Sequence, residues 1–175
     1  GKRSKGQITV LCGASALREK LPLLVIGKSK MPRCFRGEHV PVMFEANSRA
    51  WMTSEIFSQY VRRLGRSMAT RKRKIELILN NYPAHPTIEW LINITLFFLP
   101  PNTTSHTQPM DAGVIRNIKH HFKLLFVWLM IAAMDNQQLF QINLLQAVHI
   151  LKDSWQNVME RTIKNCFRHV EEQLT

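Results

Sequence analysis

Asn80 and Asp111 are the residues whose types and positions come nearest to a catalytic pattern. Asn80 closes the apolar run Ile75-Glu76-Leu77-Ile78-Leu79 and precedes the turn Asn81-Tyr82-Pro83-Ala84-His85-Pro86. A buried strand that ends in an acid and then a turn is a rigid way to hold a metal ligand at a sheet edge, but this position carries a neutral amide. Asp111 follows the turn-rich segment Pro100 to Pro109 and opens a long helical pattern. A carboxylate is favoured there by the helix macrodipole alone, so a structural role competes with a metal-ligating one. His85 and His106 flank the same region as candidate acid/base groups, although a histidine beside Pro86 is more often a turn or capping residue. Asn102, Thr103, Thr104 and Ser105 would suit a phosphate, but they are also ordinary turn residues and receive no role.

Charge is the second signal. The 175 residues carry 24 Lys and Arg against 12 Asp and Glu, a formal charge of +12. Such a chain repels itself unless salt or a polyanion screens it, and nucleic acid is the polyanion expected. The alternative is a basic piece of a more balanced protein. Arg62, Arg63 and Arg66, followed by Arg71-Lys72-Arg73-Lys74, form the densest positive stretch. Arg116, Lys119 and Lys123 share a helix face beside Asp111, with His120 next to them. Aromatics do not interleave with these cations, which points to backbone contacts of low sequence specificity rather than base stacking. A solvated loop is the plain alternative for the Arg71 to Lys74 run.

Other classes are disfavoured. Cys12, Cys34 and Cys166 are widely spaced and lack a CxxC pair, so neither a disulfide framework nor a zinc site is indicated, and a reducing compartment fits best. The apolar run Leu124 to Met134 is well short of the roughly 20 residues a spanning helix needs. No membrane association is expected, and the sequons at Asn93 and Asn102 read as chance matches. The chain starts at Gly1 rather than Met, which suggests a fragment.

The elements that must position these residues follow from pattern. Gln7 to Cys12 and Leu21 to Ile26 read as antiparallel neighbouring strands, and Val40 to Phe44 as a further short strand interrupted by Pro41. Thr53 is an N-cap for a helix whose apolar face is Ile56, Tyr60, Val61, Leu64 and Met68. A buried strand ending at Leu79, a short helix with Pro86 in its first turn, and a strand from Ile94 to Leu99 come next. A long helix from Asp111 to about Met134 presents Ile115, Ile118, Phe122, Leu125 and Leu129. Asn143 caps a helix bearing Leu144, Ala147, Val148 and Leu151, and Thr162 to Val170 forms a last helical piece. One domain spanning residues 1–175 is expected. The order, antiparallel strands, then parallel strands, then a helical tail, describes an α/β RNase H-like fold with a mixed sheet flanked by helices.

The local strings GKSKMPRCF (Gly27 to Phe35), AWMT (Ala50 to Thr53), ILNNYPAHP (Ile78 to Pro86) and FLPPNTTSHTQPMDAGVI (Phe98 to Ile115) carry a family resemblance, together with SWQNV and TIKNCFRH in the tail. Nearly the whole chain resembles the DDE endonuclease domain of Tigger and pogo transposons and their domesticated relatives, which include the jerky proteins and centromere protein B. The resemblance implies a two-metal nuclease, in which carboxylates hold Mg²⁺ ions that serve the attacking and leaving oxygens. It places the third acid at Asp111 and the second at Asn80, where the acid is substituted, and it puts the first on a strand preceding those present. The implied reading is an N-terminally truncated domain that binds DNA in the nucleus and has lost cleavage. Asp111 would be a vestigial ligand and no cofactor is expected, Mg²⁺ belonging to the ancestral activity. The alternatives are a fragment of a working endonuclease whose first acid lies upstream, and, more weakly, a protein-interaction scaffold. A sheet without its first strand has an uncovered edge, which favours homo-oligomerisation or aggregation.

Overall fold

The computed structural model describes residues 7–100 and 108–174. Strand β1 (Thr9–Leu11) pairs antiparallel with β2 (Leu24–Gly27), Val10 opposite Val25, as the alternation of apolar runs and turn predicts. Strand β3 (Met43–Ala46) lies parallel to β2, Val25 opposite Phe44. It starts later than the expected Val40, because Pro41 has no N–H to give a ladder and the first bond is Met43 N–H to Leu23 O at 3.0 Å. Every residue of β2 is buried. Leu24 and Ile26 point into one apolar cluster, Leu23 and Val25 into another, so β2 is covered on both faces.

Helix α1 (Ser54–Thr70) begins at Thr53, whose Oγ1 accepts the Ile56 N–H at 3.3 Å. Its face of Ile56, Tyr60, Val61, Leu64 and Met68 is buried as read from the sequence. Burial pushes the Tyr60 phenol well above its ordinary range, and its hydroxyl donates to Pro22 O at 3.2 Å. Beneath the same helix, β4 (Ile75–Leu79) pairs in parallel with β5 (Ile94–Phe98), Leu77 opposite Leu96.

Three expectations for this half are corrected. The strands form two sheets, one of three strands and one of two, rather than a continuous mixed sheet; α1 packs against both. Strand β4 is not buried throughout. Ile75, Leu77 and Leu79 face α1, whereas Ile78 on the opposite face is 51% exposed and Phe97 of β5 is 49% exposed. Only one face of the pair is covered. No helix begins at Pro86: residues 80–93 form turns, with Tyr82 N–H donating to Asn80 O and His85 N–H to Tyr82 O. Trp90 and Asn93 adopt φ of 57° and 59°, a left-handed backbone that a helix cannot continue through.

The remaining helices cover the other side of β2. A π-helical turn (Met110–Val114) leads into α2 (Ile115–Asp135), followed by α3 (Leu144–Asn157) and α4 (Glu160–Leu174). Helix α3 has a complete capping box: Asn143 Oδ1 accepts the Gln146 N–H and Gln146 Oε1 accepts the Asn143 N–H, both at 2.9 Å. Trp155 of α3 anchors this layer, its indole N–H donating to Leu21 O at 3.0 Å. The last helix is longer than the expected Thr162 to Val170, because Glu160 and Arg161 extend its N-terminal turn and residues 171–174 add a turn at its other end. Among the residues of α2, Ile118 alone is buried, which leaves much of this apolar helix facing outward.

Candidate functional site

The two positions singled out by sequence do come together. Asn80 follows the last residue of β4, and Asp111 sits in the first turn of the π-helical segment before α2. Gln108 joins them. With its amide oriented to satisfy both neighbours, Nε2 donates to Asp111 Oδ2 at 2.7 Å and Oε1 accepts the Asn80 backbone N–H at 2.9 Å. Gln108 O also accepts the N–H groups of Asp111 and Ala112, each at 3.1 Å, so one residue closes the turn and fixes the carboxylate. Sequence reading assigned Gln108 no role. No sequence signal marked it, since it precedes the N-cap residue Pro109.

The end of β1 contributes Cys12. Its thiol is pushed up to about 11, first by burial and then by the nearby Asp111 carboxylate, and it stays protonated at neutral pH. The residues that meet here therefore offer the carboxylate of Asp111, an amide residue in place of an acid at Asn80, and a neutral thiol at Cys12. Mg²⁺ takes hard, mostly anionic oxygen ligands, and a pair of such ions needs several carboxylates to balance its charge. Among the described residues no group of three His, Cys, Asp or Glu side chains is placed to hold a metal ion. This donor set does not fit a two-metal centre.

His85 is built into the wall. Its ring lies against Phe57 with centroids 4.3 Å apart and edge-on to Tyr82, and Nδ1 is 3.2 Å from Asn80 O. A carbonyl oxygen can only accept, so Nδ1 carries the proton. Burial holds the imidazole pKa below its ordinary value, outweighing the opposing effect of that hydrogen bond. A histidine whose folded pKa is depressed binds its proton more readily in the unfolded chain. Stability should therefore be full above about pH 6.5 and should fall as the pH drops through that value toward the lower folded pKa. Urea titrations of the wild type and His85→Gln between pH 7.5 and 5 check this: the variant should lose part of the acid-side decline, and identical slopes would remove His85 as its source. His106 and the Asn102 to Ser105 loop lie outside the described residues.

The basic residues fall into two groups. Arg71, Lys72, Arg73 and Lys74 precede β4, so they lie at the opposite end of that strand from Asn80, roughly 15–20 Å away at about 3.3 Å per residue. Arg73 is committed to Glu19 at 2.7 Å, and Arg62 donates to Glu89 O at 3.2 Å. Arg71, Lys72 and Lys74 are exposed. Arg116, Lys119 and Lys123 are exposed on α2, in the turns that follow Asp111. Arg116 also lines an open cleft of about 480 Å³ between α2 and α4, with Asn117, His120, Thr162, Asn165 and His169. Among the described residues no carboxylate lines this cleft and the buried Asn117 Oδ1 has no hydrogen-bond partner.

Comparison with known proteins identifies the family. The family model of the DDE superfamily endonucleases matches residues 5–167. The chain is 36% identical to mouse Tigger transposable element-derived protein 4, over 93% of this chain and 32% of that protein. It is 32% identical to mouse major centromere autoantigen B, over 91% of this chain and 26% of that protein. The human jerky protein homolog is 35% identical over 69% of this chain and 24% of its own length. The chain thus spans a third or less of these relatives. No solved structure matches it. None of the described helices is long and apolar enough to cross a membrane. By the extent of the family match and by its likeness to transposable-element-derived proteins, the chain belongs to the DDE superfamily of endonucleases.

Proposed function

We propose that this chain is a transposase-derived, DNA-binding domain of the nucleus that retains an RNase H-like framework and does not cut DNA. The observation that carries this reading is the donor set where β1, β4 and the π-helical turn meet. Asp111 stands there with the protonated Cys12, Gln108 ties its carboxylate to the backbone of Asn80, and Asn80 itself carries an amide in place of an acid. The exposed cations support the binding half. Arg116 and Lys119, with Lys123 a turn further along, present positive charge beside Asp111, and Arg71, Lys72 and Lys74 form a second basic group. The names of two relatives, one a transposable element-derived protein and one a centromere autoantigen, support a chromosomal setting for this reading. Mg²⁺ dependence belongs to the activity of the superfamily, and this donor set no longer suits it.

Fluorescence anisotropy with a labelled duplex, run across a salt series in the presence of Mg²⁺, tests both halves. Affinity should fall steeply with salt, at about −0.9 in log–log slope for each phosphate neutralised. Arg116→Ala and Lys119→Ala should each reduce that slope by about 1. The duplex should remain intact throughout. A binding constant indifferent to salt overturns the phosphate-contact reading, and time-dependent cleavage abolished by Asp111→Ala overturns the silent one.

A second reading, a working endonuclease completed by further chain, is favoured by one observation. Among the described residues β1 and β4 each have one unpaired edge, and both sheets lie beneath α1. A strand inserted between them would make the sheet continuous and would bring another side chain to the Asn80 and Asp111 end. Cleavage by a longer chain carrying that strand, without any change at Asn80, would favour this reading over the first.

A further inference from the structure

The carboxyl ends of β2 and β3 lie side by side and carry cations outside the two basic groups described above. Asn47 N–H donates to Gly27 O at 3.1 Å, so Lys28 and Asn47 leave the sheet as neighbours. From Gly27 to Trp51 the chain holds five Lys and Arg, namely Lys28, Lys30, Arg33, Arg36 and Arg49, against two carboxylates, Glu38 and Glu45. All five cations are exposed, and among the described residues none forms an ion pair. They stand on anchored backbone. A 3₁₀ turn (Arg33–Phe35) is pinned by the buried Phe35, which meets Phe44 edge-on at 4.8 Å, and the Phe44 ring fills the space that a side chain at Gly27 would need. Arg36 N–H donates to Arg33 O at 3.4 Å, so these two side chains, three residues apart, leave one side of the turn.

The fold also supplies here the aromatic that the other basic groups lack. Asn47 holds Trp51 by its backbone: Oδ1 accepts the Arg49 and Trp51 N–H groups at 3.1 and 3.2 Å, and Nδ2 donates to Trp51 O at 2.6 Å. The indole is 51% exposed, and the Arg49 guanidinium lies 6.0 Å from its centroid. Any nucleobase can stack on such a ring, and its strand brings a phosphate with each nucleotide to the cations around it. Paired bases in a duplex are stacked on one another and keep their faces covered. On the footing of the DNA-binding reading above, we propose that the carboxyl ends of β2 and β3 form a surface for single-stranded DNA. Trp51 stacks an unpaired base, and Lys28, Lys30, Arg33 and Arg36 take the phosphates. Trp51 lies two residues before the Thr53 cap of α1, and Phe57 in the first turn of that helix packs on His85, whose Nδ1 is 3.2 Å from Asn80 O. An unpaired strand held here therefore lies at the Asn80 end of the fold, away from Arg71 to Lys74.

Fluorescence anisotropy of the chain with a labelled oligo(dT) of about 12 nucleotides, run beside the duplex titration, tests the proposal. The oligonucleotide should bind and should quench tryptophan emission. Trp51→Ala should weaken oligo(dT) binding roughly tenfold and remove most of the quenching, whereas Trp51→Phe, which keeps an aromatic face, should retain most of the affinity. Duplex affinity should be unchanged in both. Lys30→Ala/Arg33→Ala should lower the salt slope for oligo(dT) by about 1.4, at about 0.7 for each phosphate contact on a single strand. Circular dichroism of all three variants should match the wild type, since the replaced side chains are exposed. A duplex that binds where oligo(dT) does not, or oligo(dT) binding that both Trp51→Ala and the double variant leave unchanged, overturns this surface and leaves the duplex reading standing. Loss of both ligands in the wild type overturns both. Tighter binding of oligo(U) than of oligo(dT) gives the surface to RNA and overturns its assignment to DNA.

Discussion

Trp155→Ala should lower the free energy of unfolding by about 3–5 kcal/mol, the usual range for emptying a buried tryptophan site. The indole is 2% exposed and lies in the cluster that joins β2 to α2, α3 and α4. Two effects add. The substitution leaves a cavity among Leu23, Val148, Leu151 and Val158, which the backbone of three helices cannot close. It also removes the donor for Leu21 O, a carbonyl just before the central strand. A domain with a net stability of about 5–15 kcal/mol would lose a large fraction of it. Urea denaturation followed by circular dichroism measures the loss, and a change under 1 kcal/mol would show that Trp155 does not anchor this layer.

Gly65→Ala should destabilise the protein although it places the best helix former in the middle of α1. The propensity gain is about 1 kcal/mol. Against it, a Cβ at Gly65 would run into the carbonyl oxygen of Ile92, just before β5. A flexible side chain could turn aside, but a backbone carbonyl moves only with its segment. That segment is tied at Asn93, whose side-chain amide donates to Arg73 O at 2.6 Å and whose carbonyl accepts the Ile75 N–H at 3.0 Å. Overpacking of this kind costs about 1–3 kcal/mol, so the clash outweighs the propensity. The net loss should lower Tm by several degrees, at about 2–4 °C per kcal/mol for a chain of this size. A raised Tm would mean that α1 and the Ile92 segment separate without penalty.

What could be read in the sequence was what neighbouring residues decide. Thr53 and the 3.6-residue repeat after it are sufficient to place α1, and Asn143 with Gln146 does the same for α3. The antiparallel pairing of β1 and β2 follows from two apolar runs and a short turn. Asn80 and Asp111 were legible as a pair through the motifs around them, and Gln108 does bring them together. The division into two sheets was not legible, since strand partners distant in sequence leave no local trace. Ile78 shows the limit: in an apolar run it reads as buried, but nothing covers its side of β4. The helix expected at Pro86 failed for a similar reason. Proline suits a first helical turn, but the left-handed backbone at Trp90 and Asn93 follows from the docking of that loop on α1 and Arg73. Arg73 itself reads as a free cation and is held by Glu19, distant in sequence.

Strand β2 and the residue just before it contribute Leu23 and Val25 to one cluster and Leu24 and Ile26 to the other. These four core residues are a wall common to two compartments, one anchored by Trp155 and the other by Phe57. A disturbance in either compartment reaches the other through alternate residues of a single short strand. Loosening the helical layer therefore also loosens the support of α1, although the two share little else. Cooperative units of this kind open together rather than one at a time. The β4 and β5 pair, open on one face, lies outside that wall and can fray on its own.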